Sequence, residues 1–260
     1  TDASESAAGE AAMRQLEELV RIHLDKELAI RATQPPQGRL KVLSLVFLDR
    51  VAHYVGADAP VRRGFEEAWD RVRREPTYAT LPDWPAAEVH AGWFAASRGA
   101  PVDSTGRTRA DRHAFELIMR DKARLLSEDE PVRVLFSHSA LREGWDNPNV
   151  FQICTLAASR SDLKKRQEIG RGLRLPLRPD GRRCRDPDIA TLTIVANERY
   201  DSFARGLQQE LEVACGVSFE GRISNRRDRW TVRLRDGWRE LPGLERLWGL
   251  AAGRTRFSAP

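Results

Sequence analysis

Cysteine is scarce in this 260-residue chain: Cys154, Cys184 and Cys215 are widely spaced and form no CxxC pair. An odd, scattered set excludes a disulfide framework, implies no zinc site and points to a reducing compartment, the cytoplasm. The five histidines include no HxxxH or HExxH, so most read as surface or hydrogen-bonded core residues. No run approaches the ~18 apolar residues of a membrane-crossing helix. The opening TDASESAAGEAAM has no basic segment and no apolar core, so no signal peptide is expected. It also lacks an initiator Met, and the chain is expected to be a fragment or a processed product. There is no Gly-Lys dipeptide, which excludes the GxxxxGK[ST] phosphate loop of a complete ATPase. The one Asp-Glu dipeptide, Asp129-Glu130, precedes an expected strand instead of ending one, so it is a poor magnesium site. No convincing PD…ExK nuclease pattern is present.

What the chain does have is arginine. A hydrophobic content of 41% with 31% charged residues describes a globular protein of one large domain or two small ones. The net charge of +5 is unevenly placed. Residues 160–185 carry ten Lys and Arg against Asp162, Glu168 and Asp180, and residues 222–239 carry seven Arg against Asp228 and Asp236. Arginine suits planar, bidentate phosphate contacts. A genome that writes Arg wherever Lys would do explains the second window equally well.

The hydrophobic pattern alternates between strand and helix. Helical spacing of Met13, Leu16, Leu19, Val20 and Leu24 predicts a helix over 13–30, closed by the connector TQPPQG. Strand-length apolar runs follow at 39–49, 87–94, 132–138, 150–156 and 189–197. Helix-compatible stretches fall at 60–74, 111–126, 161–173 and 200–214, and 97–109 reads as a polar loop. Such alternation predicts an α/β domain with an open, doubly wound parallel sheet. The expected divisions are a helix and connector over 1–38, the main domain over 39–215, and an appendage or linker over 216–260.

In such a sheet, ligands bind beyond the carboxyl ends of the strands. Three segments are expected just past strand ends or on the helix after one: HAGW (90–93), HSALREGWDNPN (138–149) and QEIGRGLR (167–174). In the last, Gln167, Arg171 and Arg174 fall at i, i+4 and i+7, one helix face, with Ile169 and Leu173 on the other. Gly170 and Gly172 would clear room beside the two guanidiniums. Such a pair suits a phosphoryl group gaining charge in a transition state. Spacing alone equally allows a solvated basic helix face. In the second segment, Ser137, His138 and Ser139 can donate to phosphates, Gly144 lets the chain turn, and Asp146 can accept from a sugar hydroxyl or an arginine. An ordinary Gly/Asn/Pro loop also fits DNPN.

Taken together, the strand, then ALREGWDNPNVFQICTL, then RQEIGRGLRLP resemble motifs V and VI of superfamily 2 helicases, in particular the restriction (Res) subunit of type III restriction-modification enzymes. KVLSLVFLDRVAHY resembles that family's motif IV strand, and the likeness runs from about 13 to 257. It implies the second, RecA-like motor domain of a DNA translocase, with helices on both sheet faces. It further implies Arg171 and Arg174 as arginine fingers on the ATP γ-phosphate and Gln167 as the polar opening of motif VI. Gly144 and Asp146, with Gly170, are expected at the nucleotide and interdomain cleft, and His138 and Ser139 near the DNA backbone. His90 and Gly92 are expected at a small-residue turn facing nucleic acid. ATP and Mg2+ would bind only with a missing N-terminal motor domain. The implied partners are double-stranded DNA and a methyltransferase (Mod) subunit, with a nuclease farther C-terminal. A non-catalytic nucleic-acid-binding module and a superfamily 2 motor without a nuclease are the competing readings.

Overall fold

The computed structural model describes residues 2–56, 58–94, 116–138, 147–156 and 162–195, with positions 206, 209, 212 and 213 beyond them. The chain divides into two compact units, Thr1–Val217 and Ser218–Pro260, and every described residue belongs to the first. The expected loop over 97–109 and the appendage over 216–260 lie outside the described residues.

A continuous apolar run makes β1, Leu43–Phe47, every residue of which is buried. That is the signature of a parallel strand covered on both faces. Among the described residues it is the central strand of a five-stranded sheet in which β2 (His90–Trp93), β3 (Val134–Ser137), β1, β4 (Val150–Thr155) and β5 (Thr193–Val195) lie side by side in that order. All four pairings are parallel. The register sets Leu45 beside Leu135 and Ile153, and Val46 beside Phe136 and Cys154. Side chains alternate across a strand, so these two rows face opposite ways and each needs its own cover.

The Val46 row packs under α1 (Asp2–Thr33) and α2 (Pro60–Arg73), through Leu16, Leu19, Val20, Phe65, Trp69 and Val72. In α2, Pro60 opens the helix where a missing N–H costs nothing, and Val61, Phe65, Ala68, Trp69 and Val72 recur on the buried stripe. The Leu45 row packs under Leu117, Ile118 and Leu125. These come from a π-helical turn, Glu116–Arg120, and a short helix α3, Lys122–Leu125. The single helix expected over 111–126 is therefore broken. Asp121 leaves helical geometry and its carboxylate accepts from the Arg124 N–H at 3.0 Å, a competition with the helix ladder typical of Asp. Residues 111–115 lie outside the described set.

Candidate functional site

At the carboxyl edge, β3 is followed by His138, an exposed residue whose Nε2 meets the Asp49 carbonyl at 2.9 Å, across the loop after β1. A carbonyl only accepts, so Nε2 carries a proton and donates it. The Asp49 side chain holds a second imidazole, with Oδ1 2.8 Å from His53 Nδ1. Asp49 and His53 carried no signal of their own in the sequence. Ser139, Gly144 and Asp146 lie outside the described residues.

HAGW is not a turn after a strand; it is β2 itself. His90 pairs with Val134 at the amino edge of the sheet, and its side chain is 5% exposed. Tyr54 Oη lies 2.6 Å from Nδ1 and Glu66 Oε1 3.1 Å from Nε2, while Phe65 and Phe136 pack edge-on to the ring. Burial pulls the imidazole pKa below its ordinary value, against the opposing pull of Glu66. Gly92, half-buried, packs closely against two rings. A Cβ there would stand 2.4 Å from Tyr54 Cε1 and 2.7 Å from Phe94 Cε2. The histidine misled because a polar residue in a short strand reads as an exit turn, whereas Tyr54 and Glu66 satisfy it inside.

The helix expected over 161–173 is α4, Asp162–Gly170, and stops short of both arginines. Arg171 and Gly172 form tightening turns, their N–H groups donating to Glu168 and Ile169 carbonyls at 3.2 and 2.9 Å. Lys165, Glu168 and Ile169 face inward, while Arg166, Gln167 and Gly170 face out. Arg171 is half-buried and Arg174, four residues past the helix, is exposed. The two arginines therefore do not share a helix face, and Leu173 is 53% exposed instead of packing on the sheet. The glycines also separate in role. A Cβ on Gly170 would meet nothing within 4 Å, but one on Gly172 would stand 2.4 Å from Leu192 Cδ1. Gly172 admits the chain to the sheet; it does not clear space for a phosphate.

This geometry carries Arg174 to the amino edge. Residues 172–176 line a cleft of about 240 Å3 with Val150, Phe151 and Leu192, which open β4 and precede β5. The strand-to-helix return through α4, about 13 Å long at 1.5 Å per residue, accounts for the crossing. His138 and Arg174 thus stand at opposite ends of the sheet. The segment is pinned from below by Asn149, which is 1% exposed. Its Oδ1 accepts from the Leu177 N–H at 2.7 Å and its Nδ2 donates to the Leu177 carbonyl at 3.1 Å. Beyond it the chain folds back: Cys184 N–H donates to the Pro176 carbonyl and Arg183 Nη1 to the Leu175 carbonyl, both around Gly181 at φ +81°. Asn149 is therefore a structural clamp, braced by Asn147. The signal for it was the Asn pair at i and i+2, since Asn147 Oδ1 accepts from the Asn149 N–H at 3.0 Å.

A second feature of the amino edge escaped sequence reasoning. Glu27 on α1 and Arg133 before β3 form a buried ion pair, flanked by His23, whose Nδ1 bonds Ser44 Oγ at 2.8 Å. Burial alone would raise the Glu27 pKa, but His23 and the Arg133 charge overcome it and hold it at about 2. Lys41, 1% exposed, donates to the Ser127 carbonyl at 2.8 Å and to that of Glu130. Burial, aided by the Arg133 charge, pulls its pKa down to about 6.

An open parallel sheet with helices on both faces and an arginine-rich turn at one edge defines an α/β protein. No family model matches the chain. Over 220 residues it is 34% identical to the Res subunit of the type III restriction-modification enzyme StyLTI of Salmonella typhimurium, covering 73% of this chain and 22% of that protein. Over 167 residues it is 38% identical to the EcoP15I Res subunit of Escherichia coli, covering 59% and 16%. The chain is a homologue of type III Res subunits over much of its length, and spans between 16% and 22% of theirs. The DNA-bound, ATP-dependent type ISP restriction-modification enzyme LlaBIII is similar in structure at a TM-score of 0.37 and 14% identity, over 76% of this chain and 12% of that one.

Proposed function

We propose that this chain is the second, RecA-like motor domain of an ATP-dependent DNA translocase or helicase of the type III restriction kind. The observation that carries the reading is its 34–38% identity to Res subunits. Arg174, exposed at the rim of the amino-edge cleft, and the half-buried Arg171 are the candidate arginine fingers, with Gln167 and Gly170 on the outer side of the same segment. Gly144 and Asp146 complete the nucleotide face in this reading. His138, at the opposite edge, contacts the DNA backbone in this reading, and Ser139 is assigned to the same contact. His90, with its side chain 5% exposed, and Gly92, closed in by Tyr54 and Phe94, are left out of that surface.

The residues present fit half of a nucleotide site. An exposed guanidinium suits a terminal phosphate, but the sequence has no Gly-Lys loop to cradle the phosphates. Among the described residues no cluster of three His, Cys, Asp or Glu could hold a metal ion. ATP and Mg2+ therefore belong mainly to an N-terminal motor domain, and this chain contributes charge to the γ-phosphate from across the cleft. A guanidinium placed there acts chiefly on charge that grows in the transition state, so it raises turnover more than affinity. A methyltransferase subunit is the partner that would read sequence in duplex DNA.

The test is Arg174→Ala in a motor protein that joins this chain to a phosphate-loop domain. Turnover is expected to fall about a thousandfold, as for other arginine fingers, with ATP affinity nearly kept. Unchanged turnover would end the finger assignment.

A further inference from the structure

We infer that Asn149 is a positioning residue for the Arg174 guanidinium. The inference rests on the arginine-finger reading and adds to it a residue that touches neither nucleotide nor DNA.

Arg174 lies on a strap whose two ends are anchored to the sheet, and whose Leu175 and Pro176 carbonyls are also held by Arg183 and Cys184. One end is Gly172, whose bare backbone sits against Leu192 and Ile153. The other is Leu177, held by the Asn149 carboxamide through both its N–H and its carbonyl. Asn149 is itself bolted to the sheet, because its own carbonyl accepts from the Leu43 N–H at 3.0 Å at the start of β1. The sheet thus fixes Asn149, Asn149 fixes Leu177, and the chain from Gly172 to Leu177 has little freedom to swing. Leu173 and Leu175 in the strap are 53% and 42% exposed, so besides the buried Pro176 and the bonds from Arg183 and Cys184 to the Leu175 and Pro176 carbonyls, the Asn149 carboxamide is what ties the strap to the sheet. The carboxamide is the side chain that offers an acceptor and a donor side by side. An aspartate would keep the bond to the Leu177 N–H and lose the one to its carbonyl. Displacing a charge that must meet a phosphoryl group by even 1 Å costs rate and leaves ground-state binding largely intact.

The experiment is a double-mutant cycle on ATP turnover by the joined motor protein, with Asn149→Ala, Arg174→Ala and the pair. Asn149→Ala is expected to lower kcat about tenfold with the KM for ATP unchanged, and the pair is expected to be no slower than Arg174→Ala alone. Asn149→Asp should fall between wild type and Asn149→Ala. A wild-type kcat for Asn149→Ala, or losses that multiply in the pair, would overturn the inference, since a merely structural residue acts independently of Arg174. Should Asn149→Ala fail to fold, the same cycle read on Asn149→Asp decides in the same way. Wild-type turnover for Arg174→Ala would instead remove the finger reading itself, whatever Asn149 does.

Discussion

Glu27 Oε1 and Arg133 Nε lie 2.8 Å apart with side chains 9% and 1% exposed, joining the long first helix to the foot of β3. Arg133 also donates to the Glu128 carbonyl at 3.1 Å and to that of Glu130. Breaking such a pair strands a charge inside the protein. Arg133→Met alone is expected to cost about 3–5 kcal/mol in chemical denaturation, whereas Glu27→Met with Arg133→Met should recover a large part of that loss. A double variant as unstable as the single one would show that the ion pair is not the source of the cost.

Stability should rise with pH between about 7 and 9 through Lys41. Its folded pKa is about 6 against an ordinary 10.5, so in that window the folded state binds fewer protons than the unfolded one. Glu27 acts in a separate window. Its folded pKa is about 2, so its contribution is complete above the ordinary 4.5 and is lost as pH falls through 2. Lys41→Met should flatten the rise between pH 7 and 9, measured by denaturant midpoints at each pH, and leave the acid limb in place. An unchanged slope would place the Lys41 ammonium in contact with water.

The two glycines of the arginine segment should respond oppositely. Gly170→Ala meets open space at the last helical position and is expected to stabilise by about 0.5–1 kcal/mol. Gly172→Ala drives a methyl into Leu192 and is expected to destabilise by about 1–3 kcal/mol, limited by how far that side chain can swing. Thermal melts of the two variants compare them directly, and equal shifts would contradict the packing described.

DNA binding should distinguish the two histidines. The chain is expected to bind duplex DNA weakly, without sequence preference and with a steep salt dependence. His138→Ala should weaken that binding uniformly across sequences. His90→Ala should lower the melting temperature, because it empties an aromatic cluster and leaves Tyr54 and Glu66 without their shared partner, while the salt dependence stays as it was. Affinity lost through His90 with stability intact would return HAGW to the DNA surface.

Much of the architecture was legible because burial on both faces forces continuous apolar runs. Leu43–Phe47 and Val150–Thr155 could hardly be anything but central strands. Helix limits were less legible, since Asp121 and Gly170 end their helices by local competition and conformational cost that periodicity does not record. At the candidate site, residue type singled out segments whose geometry helical arithmetic misplaced. Gln167, Arg171 and Arg174 fit one helix face by arithmetic, and the helix ends before two of them.

The sequence by itself determined the alternation of strands and helices, the excess of arginine in residues 160–185 and the lack of a phosphate loop. Those are properties of composition and period, and no folding is needed to read them. Only the tertiary structure decided which polar residues are exposed and at which end of the sheet they stand. It buried His90 between Tyr54 and Glu66, set His138 and Arg174 at opposite edges, and turned Asn149 from a loop residue into a clamp on Leu177. The physical reason is that hydrogen-bond partners distant in sequence, 28 residues apart for Asn149 and Leu177, are chosen by strand order and register.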